Sequence, residues 1–237
     1  MSIINTLPNL FLSSAHSCSY LPERIANTLF VDPRFPITTE MLWEFNRHGF
    51  RRSGNLIYRP HCEGCRSCVP VRIPVATFAS SRGQRRTADR NADVTVTAKP
   101  PLFDEEHFAL FLRYQDARHP GGTMANPDPS TFLRFLVGGQ VETTFFEFRQ
   151  DSALIGVAVV DHLSDGLSAV YTFYDPMLAH RGLGTYAVLW QIQESLRQNL
   201  PYLYLGYWVK ESPKMSYKIR FQPLEAYQSG LWAPIQV

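Results

Sequence analysis

No run of about 18 apolar residues occurs anywhere in the 237-residue chain, so no membrane-spanning helix is expected. Met1 to Leu12 lacks the basic start and cleavage site of a secretory signal, and the protein is expected in the cytoplasm. Cysteine is scarce, with four residues. In a reducing compartment disulfides are not expected, which leaves metal, iron–sulfur cluster or free thiol open. No internal repeat, low-complexity stretch, Ser-His-Asp or Cys-His signature is legible. A hydrophobic share of 45% still suffices for one large core or two small ones.

Acid is also scarce, locally. From Arg47 to Arg90 ten arginines face only Glu63 and Asp89. The net charge of +2 conceals a split: residues 1–100 carry thirteen Lys and Arg against seven acids, residues 101–237 ten against fourteen. A cationic first half points to a polyanion partner, or else to an ordinary solvated face. Lys99-Pro100-Pro101 breaks the chain and marks the expected boundary. Residues 1–100 are then a basic N-terminal α/β domain with the cysteines, and 101–237 a second domain.

Three of the four cysteines form Cys62-x2-Cys65-x2-Cys68. Turns at Glu63-Gly64 and Arg66-Ser67 can fold the thiols toward one centre, with Cys18 as a fourth ligand for zinc or an iron–sulfur cluster. The triplet opens like a bacterial ferredoxin pattern, and Cys68-Val69-Pro70 loosely echoes that pattern's end. Reduced thiols beside a basic face fit the same residues.

Local signals order the rest. Thr38 or Thr39 caps a helix through Met41-Leu42-Trp43 to Asn46, ended near Gly49. Asn55 to Tyr58 and Val69 to Ile73 read as strands, with prolines confining the second to an edge. Arg82, Arg85 and Arg86 project from a loop or short helix, and Val94 to Ala98 alternates. Asp104 caps a helix whose first turn holds Glu105 and Glu106, ended at His119-Pro120-Gly121-Gly122. Ser130 to Val137 is a short helix before Gly138-Gly139. Thr143–Arg149, Ala153–Leu163 and Leu167–Tyr174 form a meander joined by tight turns. A loop from Asp175 to Arg181, a glycine-led helix to Gln198 and a strand from Tyr202 to Leu205 follow. This order predicts an α+β chain with a mixed sheet like that of the GCN5-related N-acetyltransferases (GNAT).

YRPHCEGCRSCVPVRIPV, with CSYLPERIANTLFVDP and GFRRSGNLIY before it, resembles the arginyl-tRNA–protein transferase family. The likeness is to its bacterial branch, the aspartate/glutamate leucyltransferases, and extends through YTFYDPMLAHRGLGTYAVLWQI and YLGYWVKESPKMSYKIRFQPLE. It covers most of the chain. It implies transfer of leucine from leucyl-tRNA to the N-terminal Asp or Glu of proteins, marking them for degradation, on a GNAT-like domain.

Such a reaction is aminolysis of an activated ester, runs downhill and needs no cofactor. It requires a polarised donor carbonyl, a neutral amine and a proton for the ribose oxygen. A carboxylate suffices as base; Asp175 in YTFYDP is the candidate, or merely a turn former before Pro176. Tyr171 and Tyr174 are candidates for donating to the carbonyl or stacking on the terminal adenine, or for core. Arg181, Gly182 and Gly184 open a helix and suit an anion, or simply let strand and helix pack. Tyr186 stands where acetyltransferases carry a small residue against a coenzyme A pyrophosphate, which argues for a differently shaped donor. Ser212-Pro213 starts a short helix that places Lys214 and Lys218 on one face. With Tyr207, Trp208 and Tyr217 they suit the unpaired tRNA end, or make an amphipathic surface. Arg82, Arg85 and Arg86 suit the tRNA backbone. Arg72, between Val71 and Ile73, is the candidate fork for the acceptor carboxylate, with Arg59 second. Arginine as the donated residue, a coenzyme-A-dependent acetyltransferase and a non-catalytic RNA-binding or redox module remain as rivals.

Overall fold

The structure, a computed structural model, describes residues 7–119, 127–138 and 141–235. The expected helix stop at Pro120–Gly122 and the glycine at 139 lie outside the described residues. The N-terminal part is a small antiparallel sheet. It uses β1 (Leu10–Leu12) and, after the short pair β2 (His16–Ser17) and β3 (Ile25–Ala26), β4 (Thr28–Val31). Helix α1 (Thr39–Arg47) is capped by the Thr38 hydroxyl, which accepts from the Met41 amide. Strands β5 (Arg51–Ser53) and β6 (Leu56–Pro60) complete the order β1-β4-β6-β5.

A second, eight-stranded sheet takes β7 (Val69–Pro74) and β8 (Val94–Lys99) from the first hundred residues. Between them helix α2 (Arg82–Arg90) starts in a capping box made by Ser81 and Gln84. Helices α3 (Glu105–Arg118) and α4 (Pro129–Leu136) follow, capped by Asp104 and Asp128. The meander β9 (Thr143–Gln150), β10 (Ala153–Leu163) and β11 (Gly166–Tyr174) then leads through α5 (Leu183–Arg197) to β12 (Tyr202–Trp208). A closing hairpin, β13 (Glu225–Gln228) and β14 (Leu231–Pro234), gives the order β14-β13-β7-β12-β11-β10-β9-β8. The sheet therefore draws on both sides of residue 100. Among the described residues no helix is long and apolar enough to cross a membrane.

Both faces of this sheet are covered. On β10, Ile155, Ala158 and Val160 join the core under α5, while Leu154, Val157 and Val159 join the core under α3 and α4. The N-terminal sheet is pinned to β10 by Arg52, whose Nε and Nη2 each donate to Asp161 at 2.6 Å. Removing one partner of so buried a pair costs about 3–5 kcal/mol.

Two expectations change. β7 is not an edge strand, since it lies between β12 and β13. Pro70 and Pro74 bracket the two-residue ladder with β13, which pairs only Val71 and Arg72, so their missing donors fall outside it. Ser212–Lys218 is not one helix. Ser212 closes a turn through its carbonyl, and a separate 3₁₀ turn runs from Ser216 to Arg220, so Lys214 and Lys218 share no helical face.

The relationship that creates a site is between β11 and β12, the sheet's parallel pair. They are in register only from Gly166 to Ser168 against Tyr202 to Tyr204. Beyond that a bulge at Val170 in β11 and one before Gly206 in β12 carry the strands apart.

Candidate active site

The splay opens a cleft of about 1030 Å³. Its floor is Ala169–Thr172 of β11, Leu205–Tyr207 of β12 and Arg51–Ser53 of β5. The end of α3 (Tyr114, Arg118, His119) forms one wall, Pro213–Lys218 another, and the start of α5 (Gly182–Thr185) the mouth. The described lining includes Arg51, Arg52, Arg118, Lys214, Lys218 and Arg220, and no aspartate or glutamate.

The helix mouth is built for close approach. Gly182 has φ +67° and gives no side-chain cap, so first-turn amides of α5 lack an intrahelical partner. A Cβ on Gly184 would stand 3.2 Å from the Tyr174 ring. Tyr174 and Tyr171 both line the cleft, the former edge-on to Tyr114 at 5.0 Å, the latter accepting from Gln115 at 2.8 Å. Burial pushes the Tyr171 phenol up, so it stays a neutral donor.

Arg181 does not face the cleft. Its guanidinium is buried, donates to Asp93 at 2.5 Å and Asn91 at 3.2 Å, and so fastens the C-terminal end of α2 beside the mouth. Thr87 of α2 lies 3.4 Å from where a Gly182 Cβ would be. Arg82, Arg85, Arg86 and Arg90 are exposed on this helix, an open cationic face beside the entrance. Tyr186 leaves the mouth clear: its ring meets Phe148 edge-on at 5.8 Å, so it is no obstacle to a pyrophosphate.

The remaining candidates divide. Asp175 is absent from the lining and its Oδ1 accepts from the Met177 amide at 2.9 Å, which is the turn-forming role. Lys214 and Tyr217 are exposed on the cleft wall. Tyr207 is buried and donates to the Gly49 carbonyl at 2.9 Å, while the half-buried Trp208 indole donates to the Ser216 carbonyl at 3.2 Å. Lys218 is buried, donating to the Tyr207 carbonyl at 2.6 Å. Burial, then repulsion from Arg51, pulls its ammonium down to about 7.

Arg72 lies outside the cleft. Its Nε donates to Glu225 at 2.8 Å and its guanidinium stacks 3.5 Å over Tyr202, so its fork is occupied from within. Arg59 lines a separate hollow of about 590 Å³ with Cys62, Cys65 and Cys68, its guanidinium over Phe50. The thiols there differ. Burial, then the neighbouring Cys18, Cys62 and Cys65, pushes Cys68 up to about 12, while hydrogen bonds from Ser67 draw Cys65 down. Among the described residues no group of three or more His, Cys, Asp or Glu side chains is placed to hold a metal ion.

Sequence reading did not single out Arg51 or His119. Arg51 is buried, donating to Ser168 Oγ at 3.0 Å and to the Ala169 carbonyl, which β12 no longer pairs, at 2.7 Å. His119 sits 3.5 Å from Lys214, and burial, Lys214 and Arg118 hold its imidazole below the ordinary histidine value. The only sequence signals are a charged residue on a strand and a histidine at a helix end.

Known proteins place this geometry in a family. Residues 106–228 match the model for the C terminus of arginine-tRNA-protein transferase, and residues 16–86 the model for its N terminus. The aspartate/glutamate leucyltransferase of Marinobacter nauticus is 50% identical over 232 residues, 98% of each chain. That of Pseudomonas putida is 49% identical over 225 residues, 95% of this chain and 96% of the other. Among solved structures, L-PGS from Bacillus licheniformis aligns with a TM-score of 0.47 at 13% identity, over 60% of this chain and 47% of that one, too remote to carry an argument. With both halves matched and relatives aligned almost end to end, the chain belongs to the arginine-tRNA-protein transferase family.

Proposed function

We propose that the chain transfers leucine from leucyl-tRNA to the N-terminal Asp or Glu of proteins, marking them for degradation, on a GNAT-like scaffold in the cytoplasm. The observation that carries this is the cleft lined by cations without a described carboxylate. Both substrates are anionic there, and the donated residue is not cationic: an arginine side chain would meet only like charge, whereas a leucine side chain can lie on Val170, Phe135, Val188 and Leu205. The exposed arginines of α2 suit the tRNA backbone beside the mouth.

The chemistry balances without a cofactor. The acceptor amine attacks the ester carbonyl, a C–N bond forms, the C–O bond to the ribose breaks, and the ammonium proton ends on the ribose oxygen. First-turn amides of α5 and the Tyr171 and Tyr174 hydroxyls are the donors available to the carbonyl oxygen. With Asp175 turned to its cap, the group that can accept the ammonium proton is the His119 imidazole, shifted toward its neutral form.

The test is incubation of the purified chain with a peptide beginning in Asp, total charged tRNA and, separately, acetyl-CoA. Mass spectrometry should show gain of one leucine only with tRNA. Gain of arginine, or of acetyl alone, would overturn the reading.

A further inference from the structure

Five lysines and arginines are buried among the described residues: Arg51, Arg52, Arg72, Arg181 and Lys218. Three have a carboxylate. Arg52 is clamped by Asp161, Arg72 by Glu225 and Arg181 by Asp93. Arg51 is 8% exposed, yet its described hydrogen-bond partners are all neutral: Asn46 Oδ1 at 3.3 Å, Ser168 Oγ at 3.0 Å and the Ala169 carbonyl at 2.7 Å. Lys218, 7% exposed, donates to the Tyr207 carbonyl and has no described acid partner. These two are the ones that line the cleft together with Arg52, whose charge Asp161 already answers. A buried cation without a counter-charge is costly, and the cost is sustained where a ligand brings the missing charge.

Resting on the transferase reading, we propose that Arg51, with Lys218 beside it, is the seat of the acceptor's side-chain carboxylate and so sets the choice of Asp and Glu. The guanidinium stands at the floor of the cleft where β11 and β12 part, held in plane by Ser168 and Ala169. Gly206, at φ +76°, keeps the space beside its Nε open; a Cβ there would come within 3.0 Å. A carboxylate on one or two methylenes reaches such a floor when the neighbouring α-amine attacks above it. A tRNA phosphate is bulkier and stays solvated, and the exposed Arg82, Arg85, Arg86 and Lys214 are the cations open to it. An Asn or Gln terminus leaves the Arg51 guanidinium unanswered and is rejected for that reason.

The experiment uses the full chain and peptides differing only in a first residue of Asp, Asn or Ala. Peptide binding, leucyl-tRNA binding and transfer are measured in parallel. Arg51→Met should lower kcat/KM for the Asp peptide about 10²- to 10³-fold and bring the Asp-to-Asn ratio near one. Leucyl-tRNA affinity should fall far less. Arg51→Lys keeps the charge without the fork and should recover part, and Lys218→Met should narrow the same ratio by less. A wild-type ratio in Arg51→Met overturns the proposal. So does a loss of leucyl-tRNA affinity parallel to the loss of transfer, which would give Arg51 to a phosphate. If Arg51→Met does not fold, an unchanged ratio in Arg51→Lys overturns it. Should wild type bind the Asp peptide selectively but transfer no leucine, the transferase reading fails while the carboxylate seat stands.

Discussion

Lys218 donates from Nζ to the carbonyl of Tyr207 at 2.6 Å, with its side chain inside the cleft wall. The contact fastens the 3₁₀ turn after β12 to the strand's own end. It also makes stability depend on pH. Burial and Arg51 lower this ammonium to about 7, against the opposing pull of Cys68. Between about pH 7 and 10 the unfolded chain holds a proton here that the folded chain does not, so stability rises with pH across that window. The contribution is on the order of 3 kcal/mol. Urea midpoints of wild type and Lys218→Met at pH 7 and 9.5 should differ by this slope; parallel curves would refute it.

Arg72 is a structural clamp in the sheet, so Arg72→Ala should act on stability. Glu225 would lose its partner and Tyr202 its stacked cation, a loss of about 2–4 kcal/mol for this partly exposed pair. Denaturation should show the loss, and Glu225→Gln in the same chain should restore some of it. Abolished preference for Asp over Asn peptides in molecules that stay folded would return Arg72 to the acceptor site.

Binding of tRNA should be steeply salt-dependent. With about four phosphates contacted, the log–log slope is roughly −3 to −4. Replacing Arg82, Arg85 and Arg86 by Ala should remove about 2 from its magnitude. An unchanged slope would move the tRNA path away from α2.

Acid should slow transfer through His119. Burial, Lys214 and Arg118 keep its proton affinity low, so the neutral imidazole persists at neutral pH and is lost only as pH falls below the ordinary histidine range. Lys214→Ala removes one repulsion and should move the acid limb of the single-turnover profile upward by a few tenths of a pH unit. A limb that stays put, or survives His119→Ala, excludes His119 as the proton acceptor.

The thiols should separate in an alkylation time course at pH 8. Cys65, stabilised as thiolate by Ser67, reacts first, and Cys68, buried among the other thiols, reacts last. Cys68 reacting first would show that the four cysteines gather differently.

Where chemistry is local, it was legible in the chain. Thr38 and Asp104 satisfy amides a few residues away, so α1 and α3 begin where their caps predict, while α4, expected from Ser130, starts one residue earlier on the Asp128 cap. Strands β9 to β11 were legible from the turn residues between them, and the continuous apolar run of β10 reflects its two covered faces. Strands β1 to β4 span only two to four residues, too few for a period to register. The cationic face of α2 was legible because no apolar residue stands between Arg82, Arg85 and Arg86.

Local patterns along the chain specify its helices, the meander, a glycine-led α5 and an arginine surplus beside the cysteines. Which arginines face substrate was decided by the tertiary structure. Arg51 and Arg52 are neighbours, and in a strand neighbours point to opposite faces. One meets Asp161, 109 residues away; the other meets Ser168, 117 residues away, at the fork of two strands. Arg72, flanked by apolar residues, finds Glu225 from a hairpin 153 residues later. A charge is silenced or left open by partners that only folding brings near, and no spacing along the chain records them.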